Sequence, residues 1–173
     1  MIKLPKKPRF YWAYGSNLNV KAMRYRCPDA KKVCPLYLPN GMLVFRGVAD
    51  VIVSIDTDAK VAGGLWLISK RDELILDNYE GVRYGLYTKE EIVLEIKGEQ
   101  HSCLYYQMAR EGIMPPADSY LQTIVQGYRD FDLDFSLLDK AVAHSFEEKE
   151  VTPYLAKRRE AAKSQVRWWG KSK

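Results

Sequence analysis

The sequence predicts an α+β fold: a small mixed β-barrel or sheet flanked by helices, with further helices toward the C-terminus. Three observations predict it. β-rich segments recur through the first two thirds of the chain, helix signals gather in the last third, and no segment repeats or falls into low complexity. At 173 residues, with 47% hydrophobic and 28% charged side chains, the chain suits one domain with a sizeable core.

The first strand is expected at Phe10–Tyr14, where Phe10-Tyr11-Trp12-Ala13-Tyr14 is bulky and apolar. It stops at Gly15-Ser16-Asn17, a small polar loop with a helix-like segment after it. Glycine permits unusual backbone angles, and Ser and Asn bond back to the chain or cap helices. The loop is therefore either an ordinary strand-to-helix turn or a cradle of backbone N–H groups for an anion or oxyanion.

Further strands are predicted at Leu43–Phe45, Asp50–Ser54 and Val61–Ile68, the last containing Gly63-Gly64. Ser69-Lys70-Arg71-Asp72 reads as a capped helix start, and "DELILDNYE" supplies helix formers until Gly81 stops them. Strands at Ile92–Ile96 and Ser102–Met108 flank the hairpin turn "KGEQ". Pro115-Pro116-Ala117-Asp118 opens a helix through "SYLQTIVQGY", with Tyr120, Leu121, Ile124 and Tyr128 on its apolar face. "FSLLDKAVAH" and the more basic "TPYLAKRREAAKSQV" read as two more helices.

Charge divides the chain in two. Residues 149–173 hold eight Lys/Arg against two Asp/Glu, a net +6, whereas the whole chain carries only +5. The body, residues 1–148, is thus near neutral and gives no electrostatic argument for nucleic-acid binding. The basic tail includes Trp168 and Trp169, a mixture suited to a membrane surface or single-stranded nucleic acid, or to covering an edge of the body. No apolar run approaches the roughly 20 residues that span a bilayer, and "MIKLPKKPRF" lacks the apolar stretch of a secretory signal. Cys27, Cys34 and Cys103 have no CxxC spacing and the two histidines lie far apart, so no zinc site is expected and a reducing cytoplasm fits.

A protein nucleophile is not evident. There is no G-x-S-x-G elbow, no phosphate loop and no dinucleotide fingerprint. "LDNYEGVRYGLY" offers different chemistry. Glu80 falls in the last turn of its predicted helix, where the negative dipole end disfavours a carboxylate. Tyr79, Tyr84 and Tyr87 nearby would add desolvation. A carboxyl so raised can take and return a proton near neutral pH. An exposed glutamate at a helix end is the plainer alternative.

Taken together, "YGSNL" after an aromatic strand, "VAGGLW" at Val61–Trp66, "LDNYEGV" with "GLY" beyond, and "PPADSY" through "IVQGYRDFDLD" resemble the γ-glutamylcyclotransferase family. The resemblance runs from Tyr11 to about Val142. It implies an enzyme that closes a γ-glutamyl amide into 5-oxoproline and expels an amine, with the substrate's α-amine as nucleophile and no metal or cofactor needed. By resemblance Glu80 is the acid/base. The Tyr14-Gly15-Ser16-Asn17-Leu18 loop would bind the γ-glutamyl group, Tyr120 would hydrogen-bond the substrate and Tyr87 would line the pocket. The segment "PNGMLVFRGVADVIVSIDTDAK" is expected to shape the outer wall. Two rivals stand beside this reading: a binding module on the same fold without turnover, and an adaptor acting through the tail. Neither the leaving amine nor the oligomeric state follows from the sequence.

Overall fold

A computed structural model describes residues 8–147. The tail assigned to 149–173, with its helix and its two tryptophans, lies outside the described residues.

The first strand, β1 (Arg9–Ala13), is the centre of the molecule. Both its neighbours are distant in sequence. It runs antiparallel to β5 (Lys60–Ile68), with Tyr11 opposite Trp66 and Ala13 opposite Gly64, and parallel to β7 (Glu99–Met108), with Tyr11 opposite Leu104. Outside β5 lies β2 (Lys31–Pro39), and outside β7 lies β6 (Tyr87–Ile96). The five-stranded order is β2-β5-β1-β7-β6, an open sheet with two edges rather than a closed barrel. A separate hairpin pairs β3 (Gly41–Phe45) with β4 (Ala49–Val53), Val44 facing Asp50. The expected hairpin turn falls at Lys97-Gly98, both at positive φ, the conformation a two-residue turn needs to match strand twist.

Among the described residues four helices accompany the sheet: α1 (Val20–Arg26), α2 (Lys70–Tyr79), α3 (Asp118–Asp130) and α4 (Phe135–His144). Ser69 caps α2 at the predicted start, through a reciprocal pair with Asp72. The apolar stripe of α3 buries Leu121, Ile124, Val125 and Tyr128, joined in the core by Trp12, Trp66 and Phe131. Gly63 and Gly64 serve this packing. A Cβ on Gly63 would come within 2.2 Å of the Trp12 indole, and one on Gly64 within 2.6 Å of Phe131. Their conformations are ordinary; the space they leave is what the core uses.

A buried ionic cluster ties α2 to the sheet. Glu73 is 1% exposed and pairs with Arg9 (3.0 Å), Lys70 (3.3 Å) and Lys89 (2.7 Å), and Lys89 also reaches Asp77 at 2.8 Å. Burial would raise the Glu73 carboxyl, but the hydrogen bond and charge of Lys89, with Arg9 and Lys70, hold it below the usual carboxylate range. Asp77 in turn accepts from the Tyr106 hydroxyl at 2.7 Å, fixing that ring at the edge of a pocket.

Candidate active site

The pocket opens where β1 ends. After Ala13 the chain enters a 3-10 turn, Ser16–Leu18, and then α1, capped by Asn19 whose side chain accepts from Ala22 N–H at 2.9 Å. Gly15 has φ −115°, outside the left-handed region, so backbone angle is not what calls for glycine here. Close approach is: a Cβ would lie 3.2 Å from both the Ala49 Cβ and the Tyr120 hydroxyl. The turn bonds Leu18 N–H to the Gly15 carbonyl and Asn19 N–H to Ser16, so the Ser16 and Asn17 amides have no acceptor within it.

Glu80 arrives from the other side. It follows α2 directly, its N–H closing on the Leu76 carbonyl at 2.8 Å. Gly81 then takes φ +64°, with Leu86 Cδ1 only 2.7 Å from where a Cβ would stand. Here the left-handed conformation is required, and it turns the chain away so that the Glu80 carboxyl faces the pocket.

The two segments meet at Asn17, which is 3% exposed. Its Nδ2 donates to Glu80 Oε1 at 2.9 Å and to the Tyr11 hydroxyl at 2.8 Å. Its Oδ1 accepts from the Arg26 guanidinium, which lies 3.6 Å over the centroid of the Tyr79 ring. Burial pushes the Glu80 carboxyl up to about 7, against the opposing pull of the Asn17 hydrogen bond and the Arg26 charge. The largest cause is desolvation. Of the tyrosines named as its neighbours, Tyr79 and Tyr87 line the pocket, while Tyr84 is 75% exposed and turned away.

The cavity holds about 210 Å³, below the roughly 300–1,000 Å³ of drug-sized sites and matched to a group of amino-acid size. Tyr14, Gly15, Ser16, Asn17, Glu80, Tyr87 and Tyr120 all line it. Leu18 does not: it is fully buried, packed beneath the turn against Gly127 of α3. Tyr120 accepts the Ala49 N–H at 3.1 Å and a further backbone hydrogen bond from Ser16, leaving its own proton to donate. Desolvation raises its pKa, as it does that of Tyr87, so both phenols are neutral. Tyr14 spends its hydroxyl on the Tyr106 carbonyl. The outer wall comes from Val48 and Ala49, within the segment expected to supply it.

Tyr11, Tyr106 and Arg26 are additions that sequence reasoning missed. The tyrosines sit in strands where an aromatic ring reads as core. Arg26 ends a helix, "VKAMRYR", in which it looks no different from Lys21 and Arg24. Among the described residues no cluster of three or more His, Cys, Asp or Glu is placed to hold a metal ion, and no helix is long and apolar enough to cross a membrane.

Comparison with known proteins gives the same picture. The sequence model of the AIG2-like family matches residues 60–133, a span that contains Glu80, Tyr87 and Tyr120. The chain is 29% identical over 150 residues to the human protein named γ-glutamylcyclotransferase, covering 77% of each. It is 29% identical over 133 residues to the cattle protein of that name, covering 69% of this chain and 70% of the relative. A solved structure named γ-glutamyl cyclotransferase shares the fold with TM-score 0.69 and 22% identity, over 90% of this chain and 99% of that one. The chain is similar to the AIG2-like family over residues 60–133 and to proteins named γ-glutamylcyclotransferase over most of its length.

Proposed function

We propose that the protein is a γ-glutamylcyclotransferase, converting a γ-glutamyl amide to 5-oxoproline and a free amine. The observation that carries this reading is a single carboxyl, Glu80, poised near neutrality in a pocket of amino-acid size opposite a turn of backbone N–H donors.

The chemistry asks little more. The substrate's α-amine attacks its own γ-carbonyl carbon; that C–N bond forms as the bond to the departing nitrogen breaks. The α-ammonium loses two protons on its way to the lactam N–H, and the departing nitrogen gains two to leave as an ammonium. Glu80 as carboxylate takes a proton from the attacking nitrogen and as carboxylic acid returns one to the departing nitrogen; the other passes through solvent, so enzyme, charge and proton count are restored. Folding the chain for a five-membered closure makes the attack intramolecular, worth ~7 kcal/mol or more of the barrier. The Asn17 amide and the Tyr120 hydroxyl, itself held by the Ser16 and Ala49 amides, are the donors available to the developing oxyanion. Tyr11, whose hydroxyl accepts from Asn17, has its own proton to offer. Three free cysteines, Cys27, Cys34 and Cys103, are consistent with a reducing cytoplasm. A place in glutathione metabolism is in keeping with γ-glutamyl chemistry.

The test is 5-oxoproline release from a panel of γ-glutamyl amino acids, γ-glutamyl peptides and γ-glutamyl amines, with Glu80→Gln as control. Release by the wild type and not by the folded variant supports the reading and names the leaving group. No release from any member, with ligand binding retained, shifts the weight to a binding module.

A further inference from the structure

We propose that Arg26 is a positioning residue for Glu80, acting through the side chain of Asn17. The proposal rests on the reading of Glu80 as proton carrier, and it turns on a property of the carboxamide. The oxygen and nitrogen ends of an asparagine side chain are nearly equal in size, so packing alone does not choose between them. Arg26 does choose. A guanidinium only donates, and it therefore selects Oδ1 of Asn17 as its partner. That leaves Nδ2 facing Glu80 Oε1 and the Tyr11 hydroxyl, at 2.9 Å and 2.8 Å. In the reversed orientation an NH2 group would meet the guanidinium, donor against donor, and a carbonyl would meet the carboxylate.

The arginine is itself held. It ends α1, and its guanidinium is stacked on the ring of Tyr79, the residue before Glu80. α1 and α2 are thus clamped at the point where the carboxyl emerges. A lysine would keep the charge without the planar fork or the stack.

Facing Glu80 from the other elements are the phenols Tyr11 and Tyr14 at β1, Tyr87 on β6, Tyr106 on β7 and Tyr120 on α3, with the Cys27 thiol beyond α1. Every one of these is raised by burial and is neutral when Glu80 titrates. Among the described residues Arg26 is the cation acting on Glu80. Its removal has two effects of the same sign: loss of a favourable charge, and release of Asn17 to turn its carbonyl toward Glu80 and accept from the protonated acid. Both favour the carboxylic acid over the carboxylate.

The experiment compares wild type, Arg26→Gln and Arg26→Lys in two readouts. The first is the carboxyl carbon titration of Glu80 in protein labelled with carboxyl-13C glutamate, the resonance being assigned by its absence from Glu80→Gln. The second is kcat/KM against pH for 5-oxoproline release from the best-used γ-glutamyl amino acid. Arg26→Gln is expected to move the Glu80 titration and the acid limb to higher pH together. The rate should fall roughly tenfold more on the acid side than on the alkaline plateau, the scale of a nearby opposite charge. Arg26→Lys is expected to fall between. An unchanged Glu80 midpoint, with a loss of rate that is uniform across pH, overturns the proposal. Arg26 is only partly buried at a helix end, and if Arg26→Gln does not fold, Arg26→Lys decides by the same midpoint. The carboxyl titration needs no turnover, so absence of 5-oxoproline would count against the cyclotransferase reading while leaving the positioning role to be judged by the first readout.

Discussion

Asn17 and Glu80, 63 positions apart in sequence, are joined by a hydrogen bond of 2.9 Å from Nδ2 to Oε1. The bond links the turn after β1 to the end of α2, and it sets two demands in opposition. Burial among tyrosine rings pushes the carboxyl toward its neutral form, while Asn17 pulls it back toward the charged one. A group balanced between these forms is suited to carrying a proton in both directions.

Asn17→Asp tests that balance with almost no change of shape. A second carboxylate at hydrogen-bond distance from Glu80 disfavours ionisation of the pair, so one proton is retained to higher pH. The acid limb of kcat/KM is expected to move upward, and activity at pH 7 to fall by roughly ten- to a hundredfold, the span that one to two pH decades imposes. Activity at pH 7 equal to wild type would show that the amide donor is dispensable.

The raised Glu80 pKa also predicts a stability effect. The folded protein holds this proton up to about 7, whereas the unfolded chain releases it near the ordinary glutamate value of 4.5. Below the lower value the group costs nothing; between the two, stability falls as pH rises, and above the upper value the full penalty applies. That penalty is on the order of 3 kcal/mol. Glu80→Gln, which cannot ionise, should therefore unfold at higher temperature than wild type at pH 8 and at nearly the same temperature at pH 4. Thermal unfolding at the two pH values checks it, and a variant less stable at pH 8 would refute it.

Tyr120→Phe removes the acceptor of the Ala49 N–H bond at 3.1 Å and the proton offered to the substrate. A buried amide left without a partner costs about 1–3 kcal/mol, so the variant should be less stable. Because Ala49 belongs to the outer wall, KM should rise as well as kcat fall. A pure kcat effect with unchanged stability would place the hydroxyl in catalysis alone and detach it from the β3–β4 hairpin.

Much of this architecture was legible in the sequence because its determinants are local. The Ser69–Asp72 cap, the Gly81 stop and the Lys97-Gly98 turn are specified by the residues that form them. β2 was not legible: it contains Pro35 and Pro39 and begins with two lysines, which argue against a strand. At the edge of the sheet a strand tolerates proline, and that position is known only once β5 has a partner. α1 is seven residues long, too short for periodicity to speak. In the site, a carboxylate before a helix-stopping glycine drew notice to Glu80, but its role as acid/base came from the family resemblance. Arg26 could not be singled out, since only the fold brings Tyr79 under it. Leu18 was grouped with the loop as part of the YGSNL motif, although its side chain is buried in the core.

Gly127 supplies a test of how the site is held from behind. It lies seven residues, about two helical turns, beyond Tyr120 on α3. At Gly127 the helix rests against the 3-10 turn: an added Cβ would come within 2.4 Å of the Leu18 Cβ and 2.8 Å of the Asn19 backbone nitrogen. The second contact is backbone, so no side-chain rotation relieves it, and either α3 or the turn must move. Gly127→Ala is therefore expected to cost stability despite alanine's better helix propensity, by about 1–3 kcal/mol net. Activity should fall further than stability alone explains, because the displaced parts are those that carry Tyr120 and Asn17. Equilibrium denaturation together with kcat/KM under conditions where the variant is fully folded separates the two. Full activity in the folded variant would mean that the turn and α3 shift as one body.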